Sequence, residues 1–101
     1  MAAFISTMKF TEQGVMSISE TTKRAAAFKT TAKKLGVKVT AQYWTLGQFD
    51  GVLIFDAPDE ATATAAMLQL GSQCNVHTST LRAFIAPEMD KILAAMGKSK
   101  A

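Results

Sequence analysis

Apolar residues recur along this chain with two different periods, and each period predicts a type of secondary structure. In residues 3–10 the apolar positions alternate imperfectly between two faces, with Phe4 on one face and Ile5 on the other. This pattern is typical of a β-strand. In residues 21–35 the apolar positions instead recur at helical spacing, and Gly36 follows where a helix C-cap would fall. The chain is therefore predicted to begin with a strand followed by a helix.

Further elements follow, each with its own boundary signals. Residues 37–45 and 51–56 are rich in β-branched, aromatic or other apolar side chains and flank a glycine-containing turn, which predicts a hairpin. Asp59 is a typical N-cap for the alanine-rich helix that comes next. Residues 76–85 predict a fourth strand, and Pro87 stands at the first position of a short last helix.

The order β-α-β-β-α-β-α is that of a ferredoxin-like α+β fold, in which a four-stranded antiparallel sheet carries helices on one face. We expect a single domain over residues 1–97, followed by a short polar tail at 98–101. The last helix is expected to bury an apolar side formed by Met89, Ile92, Leu93 and Met96.

The predicted sheet is too apolar to leave one face to water. An antiparallel sheet covered on one side should alternate apolar and polar residues, yet residues 52–55 are all apolar. Four further side chains add to the surface that three short helices cannot hide, namely Phe4, Met8, Phe10 and Trp44. A second copy stacked sheet against sheet would cover this surface, so we expect a homodimer or a higher homo-oligomer.

Composition excludes several classes of protein. The 101 residues are 49% hydrophobic and 19% charged, which describes a compact folded domain. No apolar stretch approaches the ~20 residues that cross a bilayer, so no membrane span is expected. The N-terminal residues lack the features of a secretory signal, and a single cysteine, Cys74, cannot form an internal disulfide. Both features favour the cytoplasm.

The positive charge is concentrated in one segment. Residues 23–38 contain six basic side chains and no acidic one, which exceeds the net charge of +3. Such a surface attracts anions, but these side chains are spread around much of the first long helix and only Phe28 is interleaved with them. A solvated helix face is therefore favoured over a nucleic-acid site.

Several separated blocks of the sequence resemble one family of proteins. They are Phe4-Ile5, Lys9-Phe10-Thr11, Gln13-Gly14, Tyr43-Trp44-Thr45-Leu46-Gly47-Gln48-Phe49-Asp50, Ala57-Pro58-Asp59, Gly71 and Asn75-Val76-His77-Thr78-Ser79-Thr80-Leu81-Arg82-Ala83-Phe84. Together these blocks cover nearly the whole chain and are similar to the GYD domain family. That family is mostly bacterial and largely uncharacterised, and the resemblance implies the fold and assembly of the dimeric α+β barrels.

The motif that names the family is changed in this chain. It corresponds to Gly47, Phe49 and Asp50, with Phe49 where the family has its tyrosine, and His77 stands where an arginine is common. If the tyrosine hydroxyl carries chemistry elsewhere in the family, this chain does not perform it in that way. The resemblance thus implies fold and assembly but no mechanism.

Asp50 and His77 are the candidate catalytic residues. The preferred interpretation of Asp50 is structural: it accepts backbone N–H bonds beside a turn in which Gly47 supplies a positive φ. The alternative makes Asp50 a general base or substrate anchor at the mouth of a pocket. His77 is the one histidine of the chain, but the sequence identifies no partner for it. Cys74 and His77 supply too few ligands for zinc, so no metal site is expected within one chain. We also expect no cofactor.

Tyr43, Trp44 and Phe49 are the candidate ligand-binding residues. They would line a cavity between the sheet and the helices, or they would simply fill a core. A buried Trp44 needs a partner for its indole N–H. We favour a homo-oligomeric barrel that binds a small apolar or amphipathic molecule without catalysis. The alternative is a small dimeric-barrel enzyme, such as a cofactor-independent monooxygenase or an isomerase, with Asp50 and His77 in that cavity.

Overall fold

A computed structural model describes residues 1–97, which form a four-stranded antiparallel sheet with four α-helices. In chain order the elements are β1 (Ala2–Phe10), α1 (Glu12–Met16), α2 (Thr21–Lys34), β2 (Lys38–Trp44), β3 (Gly51–Ala57), α3 (Glu60–Gly71), β4 (Val76–Ala83) and α4 (Ala86–Ala95). A 3-10 turn at Ile18–Glu20 leads into α2. The predicted ferredoxin-like order is confirmed, and α1 is an addition within the predicted connection. The predicted tail at 98–101 lies outside the described residues.

The strands lie side by side in the order β2-β3-β1-β4, so β1 and β3 are central. Each neighbouring pair is antiparallel, and the register sets Phe4 of β1 opposite Phe55 of β3 and Arg82 of β4. Because side chains alternate along a strand, this register assigns Phe4 and Phe55 to one face and Ile5 to the other.

The hydrophobic core lies between the sheet and helices α2 and α3. Every second residue of β3 is buried, and the rings of Phe4 and Phe55 stack with centroids 5.4 Å apart. Alanines on α2 and α3 allow these helices to approach the sheet closely. The buried apolar residues are Phe4, Met8, Phe28, Ala32, Val37, Leu53, Phe55, Ala57, Ala63, Ala66 and Met67.

The helix ends carry the signals that the sequence predicts. Asp59 caps α3, since its Oδ1 accepts the backbone N–H of Thr62 at 2.7 Å, and this hydrogen bond lowers the pKa of the Asp59 carboxyl. Gly36 follows the end of α2 with a φ of +87°, a conformation that favours glycine. These local signals explain why both helices begin and end close to their predicted bounds.

Two predictions about apolar surfaces are wrong for the chain by itself. Of the four side chains expected to exceed what the helices can hide, Phe4 and Met8 are buried on the helix side of the sheet, and Phe10 and Trp44 share that face by register. The apolar side of α4 is exposed rather than buried, with Met89, Ile92, Leu93 and Met96 between 39% and 70% exposed. Periodicity shows which side of a helix is apolar but not what covers it.

The face turned away from the helices is nevertheless apolar. In residues 52–55, Leu53 and Phe55 enter the core, and the register assigns Val52 and Ile54 to the opposite side. We call this side the open face, and its large apolar residues are Ile5, Tyr43, Val52, Ile54 and Leu81. The unbroken apolar run in β3 therefore serves both faces, as predicted.

The helices of residues 1–97 are short. None of them combines the length and the apolar composition that a membrane-spanning helix requires. The longest, α2, has 14 residues and carries several of the basic side chains.

Candidate functional site

A cavity of about 230 Å³ lies between the sheet and helices α2 and α3. It is located where β1 and β2 end and β3 and β4 begin, and the last turn of α3 borders it. Its walls are largely apolar and include Phe10, Phe28, Trp44, Leu53, Leu70 and Val76. Amides and hydroxyls complete the lining, so the cavity offers an apolar interior together with hydrogen-bonding groups.

Trp44 connects the strand side of the cavity to the helix side. Its Nε1 donates a hydrogen bond to Oγ1 of Thr21 over 3.1 Å, and Thr21 is the first residue of α2. The side chain is 47% exposed, so one part of the indole meets solvent. The predicted need for a partner at the indole N–H is met, and Trp44 lies where a molecule in the cavity would contact it.

Arg24 is the basic residue of the cavity lining. Its Nη1 donates to the backbone oxygen of Ser17 at 2.8 Å and to Oγ of Ser17 at 3.1 Å. Its Nη2 is buried and has no hydrogen-bond acceptor among residues 1–97. Sequence analysis missed this residue, because Arg24 stands within a run of basic residues that was interpreted as a solvated helix face.

Asp50 lines the cavity but is engaged with the backbone of β1. Its Oδ2 accepts the N–H of Phe10 at 2.8 Å, and its own N–H donates to the oxygen of Met8 at 2.8 Å. Phe10 is the last residue of β1 and lies beyond the last pair between β1 and β3. The carboxylate thus extends that pairing by one hydrogen bond, in keeping with the structural interpretation of this residue. Gly47, in the preceding turn, has the expected positive φ of +102°.

His77 lies away from this cavity. It stands opposite Lys9 on the open-face side of β1 and β4, beside a hollow of about 150 Å³ that Phe49 also lines. Tyr43 borders the main cavity, although its register partner Val52 belongs to the open face. The Tyr43 side chain is 61% exposed. Among the candidate site residues, the structure therefore brings Trp44, Asp50 and Tyr43 to one cavity and leaves Phe49 and His77 outside it.

Residues that could hold a metal ion are dispersed. Across residues 1–97, no group of three or more histidine, cysteine, aspartate or glutamate side chains comes together. Cys74 is exposed, and its backbone adopts a φ of +66° at the turn before β4. The groups available for chemistry at the cavity are thus a guanidinium, a carboxylate, and several amides and hydroxyls.

Comparisons with known proteins agree with the fold. Residues 4–93 match the model of the GYD domain family. A curated relative from Thermus thermophilus, the "Glutamine synthetase and cystathionine beta-lyase binding protein", is 36% identical over 84 residues, which cover 82% of this chain and 88% of the relative. Since the family match spans most of the sequence, the chain belongs to the GYD domain family.

Proposed function

We propose that this protein is a binding protein, without catalytic activity, that holds a small amphipathic molecule in the cavity between its sheet and its helices. The cavity itself carries the proposal, because about 230 Å³ beside Trp44 is left unfilled by side chains. An apolar protein cavity of about 150 Å³ already accommodates benzene, so this space is sufficient for a ring or a short alkyl chain. The polar lining residues would hold the other end of the ligand.

The positions of Asp50 and His77 favour binding over catalysis. A dimeric-barrel monooxygenase or isomerase of the kind considered above would bring these two groups to one substrate. Asp50 instead lies at the cavity with its Oδ2 bonded to the amide of Phe10, and His77 lies beside the hollow of the open face. No acid–base pair is available at the cavity from these two residues, so binding is the function that this arrangement supports best.

Binding to other proteins is the second candidate function. The relative from Thermus thermophilus is named for binding glutamine synthetase and cystathionine beta-lyase, and it aligns with most of this chain. We propose that this chain also contacts an enzyme partner. Co-sedimentation of the pure protein with a purified glutamine synthetase tests the proposal, and a cystathionine beta-lyase is the second partner to try.

We also propose that two copies assemble through the open face. Tyr43 and Leu81 on that face are 61% and 58% exposed, and Ile5, Val52 and Ile54 lie between them. A twofold axis would set this apolar surface against its own copy, which is the usual geometry of homodimers. Two sheets stacked face to face are also the arrangement of the dimeric α+β barrels, the assembly that the family resemblance implies.

Helix α4 presents a second apolar surface that the described chain leaves uncovered, and we propose that a partner surface covers it as well. Its first turn is tied to β4, because Arg82 Nη2 and Glu88 Oε2 form an ion pair at 2.9 Å. The hydrogen bond from Arg82 lowers the pKa of the Glu88 carboxyl, which keeps the pair charged. The apolar side of α4 is therefore held at a set position beside β4, next to a residue of the helix side of the sheet rather than of the open face.

Replacement of Ile54 with lysine is expected to dissociate the dimer. Ile54 lies at the centre of the open face, paired with Ile5 and Ala41. An ammonium from each copy would be buried without a partner, so the dimer dissociation constant should rise about 100-fold or more. Sedimentation velocity over a dilution series measures it. The matched control is Ala26→Lys on the exposed side of α2, which should stay dimeric. A monomeric wild-type protein at micromolar concentration would contradict the proposal.

Replacement of Ala25 with leucine is expected to fill part of the cavity and weaken ligand binding about tenfold or more. Ala25 lines the cavity, whereas the neighbouring Ala26 is exposed and does not. Trp44 is the one tryptophan of the chain, so its fluorescence reports occupancy directly. The probes are 4-phenylbutanoate and 4-phenylbutanamide, whose phenyl rings leave tryptophan emission readable. Ala26→Leu is the control and should bind them as the wild type does. Equal weakening by both variants would show that the probes bind elsewhere.

A further inference from the structure

We infer that the ligand of the cavity is a small carboxylic acid with an apolar body, and that Arg24 binds its carboxylate. This inference rests on the proposed binding function and adds the chemical class of the ligand. It begins from Arg24, the one basic side chain that lines the cavity, whose guanidinium forms no ion pair with a carboxylate of residues 1–97. A cation beside a largely apolar space loses part of its hydration and has no anion to compensate, so an anion bound there would be favoured.

The remaining bonds of Arg24 hold the guanidinium in place. Nη1 donates twice to Ser17, to its backbone oxygen and to its hydroxyl. Neither of these acceptors is a charged group. The ion pairs of residues 1–97 are Lys23 with Glu20 and Arg82 with Glu88, so no carboxylate of the described chain neutralises Arg24. The guanidinium is thus positioned by the protein while its charge remains available to an anion.

The charges around the cavity favour an anion at the part of it that Arg24 lines. Arg24 and Asp50 are the one basic and the one acidic residue among those lining it. The Asp50 carboxylate already accepts the Phe10 N–H, whereas the Arg24 guanidinium has no carboxylate partner among residues 1–97. A carboxylate matches the planar fork of a guanidinium through two parallel hydrogen bonds. A phosphate group, with more charge, would be met by a single cation here, so a monocarboxylate fits better.

The apolar wall lies directly beside the charged group. Arg24 and Phe28 are four residues apart on α2 and therefore lie on the same side of the helix. Trp44 is joined to the same end of α2 through Thr21. A ligand with its carboxylate at Arg24 would extend its body between Phe28 and Trp44, so the structure selects an aromatic or branched aliphatic acid of modest size.

A matched pair of ligands tests the inference in the wild-type protein. 4-Phenylbutanoate and 4-phenylbutanamide share their apolar body and differ in the charge at one end. We expect the acid to bind about tenfold more tightly or better, as Trp44 fluorescence or isothermal titration calorimetry would measure, because only the acid forms charge-assisted bonds with Arg24. Equal affinity for the two probes would overturn the role of Arg24 and leave the cavity intact as a binding site.

Variants of Arg24 provide the second readout. Arg24→Met should weaken binding of the acid about tenfold and change binding of the amide less than about twofold, while Arg24→Lys keeps part of the preference because the charge remains. Far-UV circular dichroism checks folding, and if Arg24→Met fails to fold, the lysine variant and the wild-type comparison still decide. Equal weakening of both probes by Arg24→Met would assign the residue a structural role. Binding of neither probe to the wild type would instead overturn the proposed function.

Discussion

Replacing Gly14 with alanine is expected to lower the free energy of unfolding by about 3 kcal/mol, the upper part of the range for overpacked sites. A Cβ atom built at Gly14 would lie 2.1 Å from the backbone oxygen of Asn75 and 3.1 Å from its carbonyl carbon. Both atoms belong to the main chain, so no side-chain rotation relieves the contact. The backbone of α1 or of the segment before β4 must move instead.

Hydrogen bonds hold the two segments together at this point and resist such a movement. The N–H of Thr11 donates to the oxygen of Asn75 at 3.0 Å. The hydroxyl of Thr11 donates to the oxygen of Cys74 at 2.6 Å and accepts the N–H of Gly14 at 3.0 Å. Asn75 also lines the cavity, so a shift here would disturb the ligand site as well as the fold.

Gly71→Ala is the matched control for this substitution. Gly71 is the last residue of α3, and a Cβ there would meet no atom within 4 Å. Alanine in a compatible helical position stabilises a protein by about 0.4–1 kcal/mol, so this variant should be as stable as the wild type or slightly more stable. Urea unfolding followed by circular dichroism measures both variants. A Gly14→Ala protein as stable as the Gly71→Ala protein would contradict the close packing of α1 against the start of β4.

The order of the strands and long helices along the chain was predictable because each element carries its own local signal. Asp59 marks the start of α3, and Gly36 marks the end of α2. The alternation in β1 also assigned Phe4 and Ile5 to opposite faces correctly. These signals depend on neighbours only a few residues away, which is why one sequence suffices to recognise them.

Which residues meet at the cavity depends on contacts between elements that are far apart in the sequence, and no local signal predicts those contacts. Trp44 and Asp50 reach one cavity because they stand at the two ends of the same hairpin connection. His77 lies away from Asp50 because the pairing of β4 with β1 sets it opposite Lys9, on the open-face side of the sheet. That register is not readable from periodicity. Arg24 was missed for a related reason: an arginine in a basic helix is recognised as a cavity residue only when the strands opposite it are known.

The apolar side of α4 illustrates a third limit. Its spacing correctly indicated an amphipathic helix, but no part of the described chain covers its apolar side. The same holds for the open face, whose apolar residues suggest a partner without identifying it. Burial in an assembly is a property of two molecules, and a single sequence specifies only one side of it.

Replacing Asp50 with alanine is expected to lower the free energy of unfolding by about 2 kcal/mol, because the N–H of Phe10 loses a charged acceptor at 2.8 Å. Asp50→Asn should cost about half as much, since an amide oxygen can still accept that bond but without the negative charge. Asp90→Asn on exposed α4 controls for the loss of one carboxylate and should change stability by less than about 0.5 kcal/mol.

These three variants separate the two interpretations of Asp50. A carboxylate that holds the end of β1 to the hairpin should lose stability in steps, from aspartate to asparagine to alanine, as its hydrogen bond weakens and then disappears. A general base would behave differently, because asparagine is nearly the same shape and would leave stability unchanged while removing proton transfer. Urea unfolding of all three proteins at neutral pH distinguishes these results. An Asp50→Asn protein with wild-type stability would therefore reopen the catalytic interpretation.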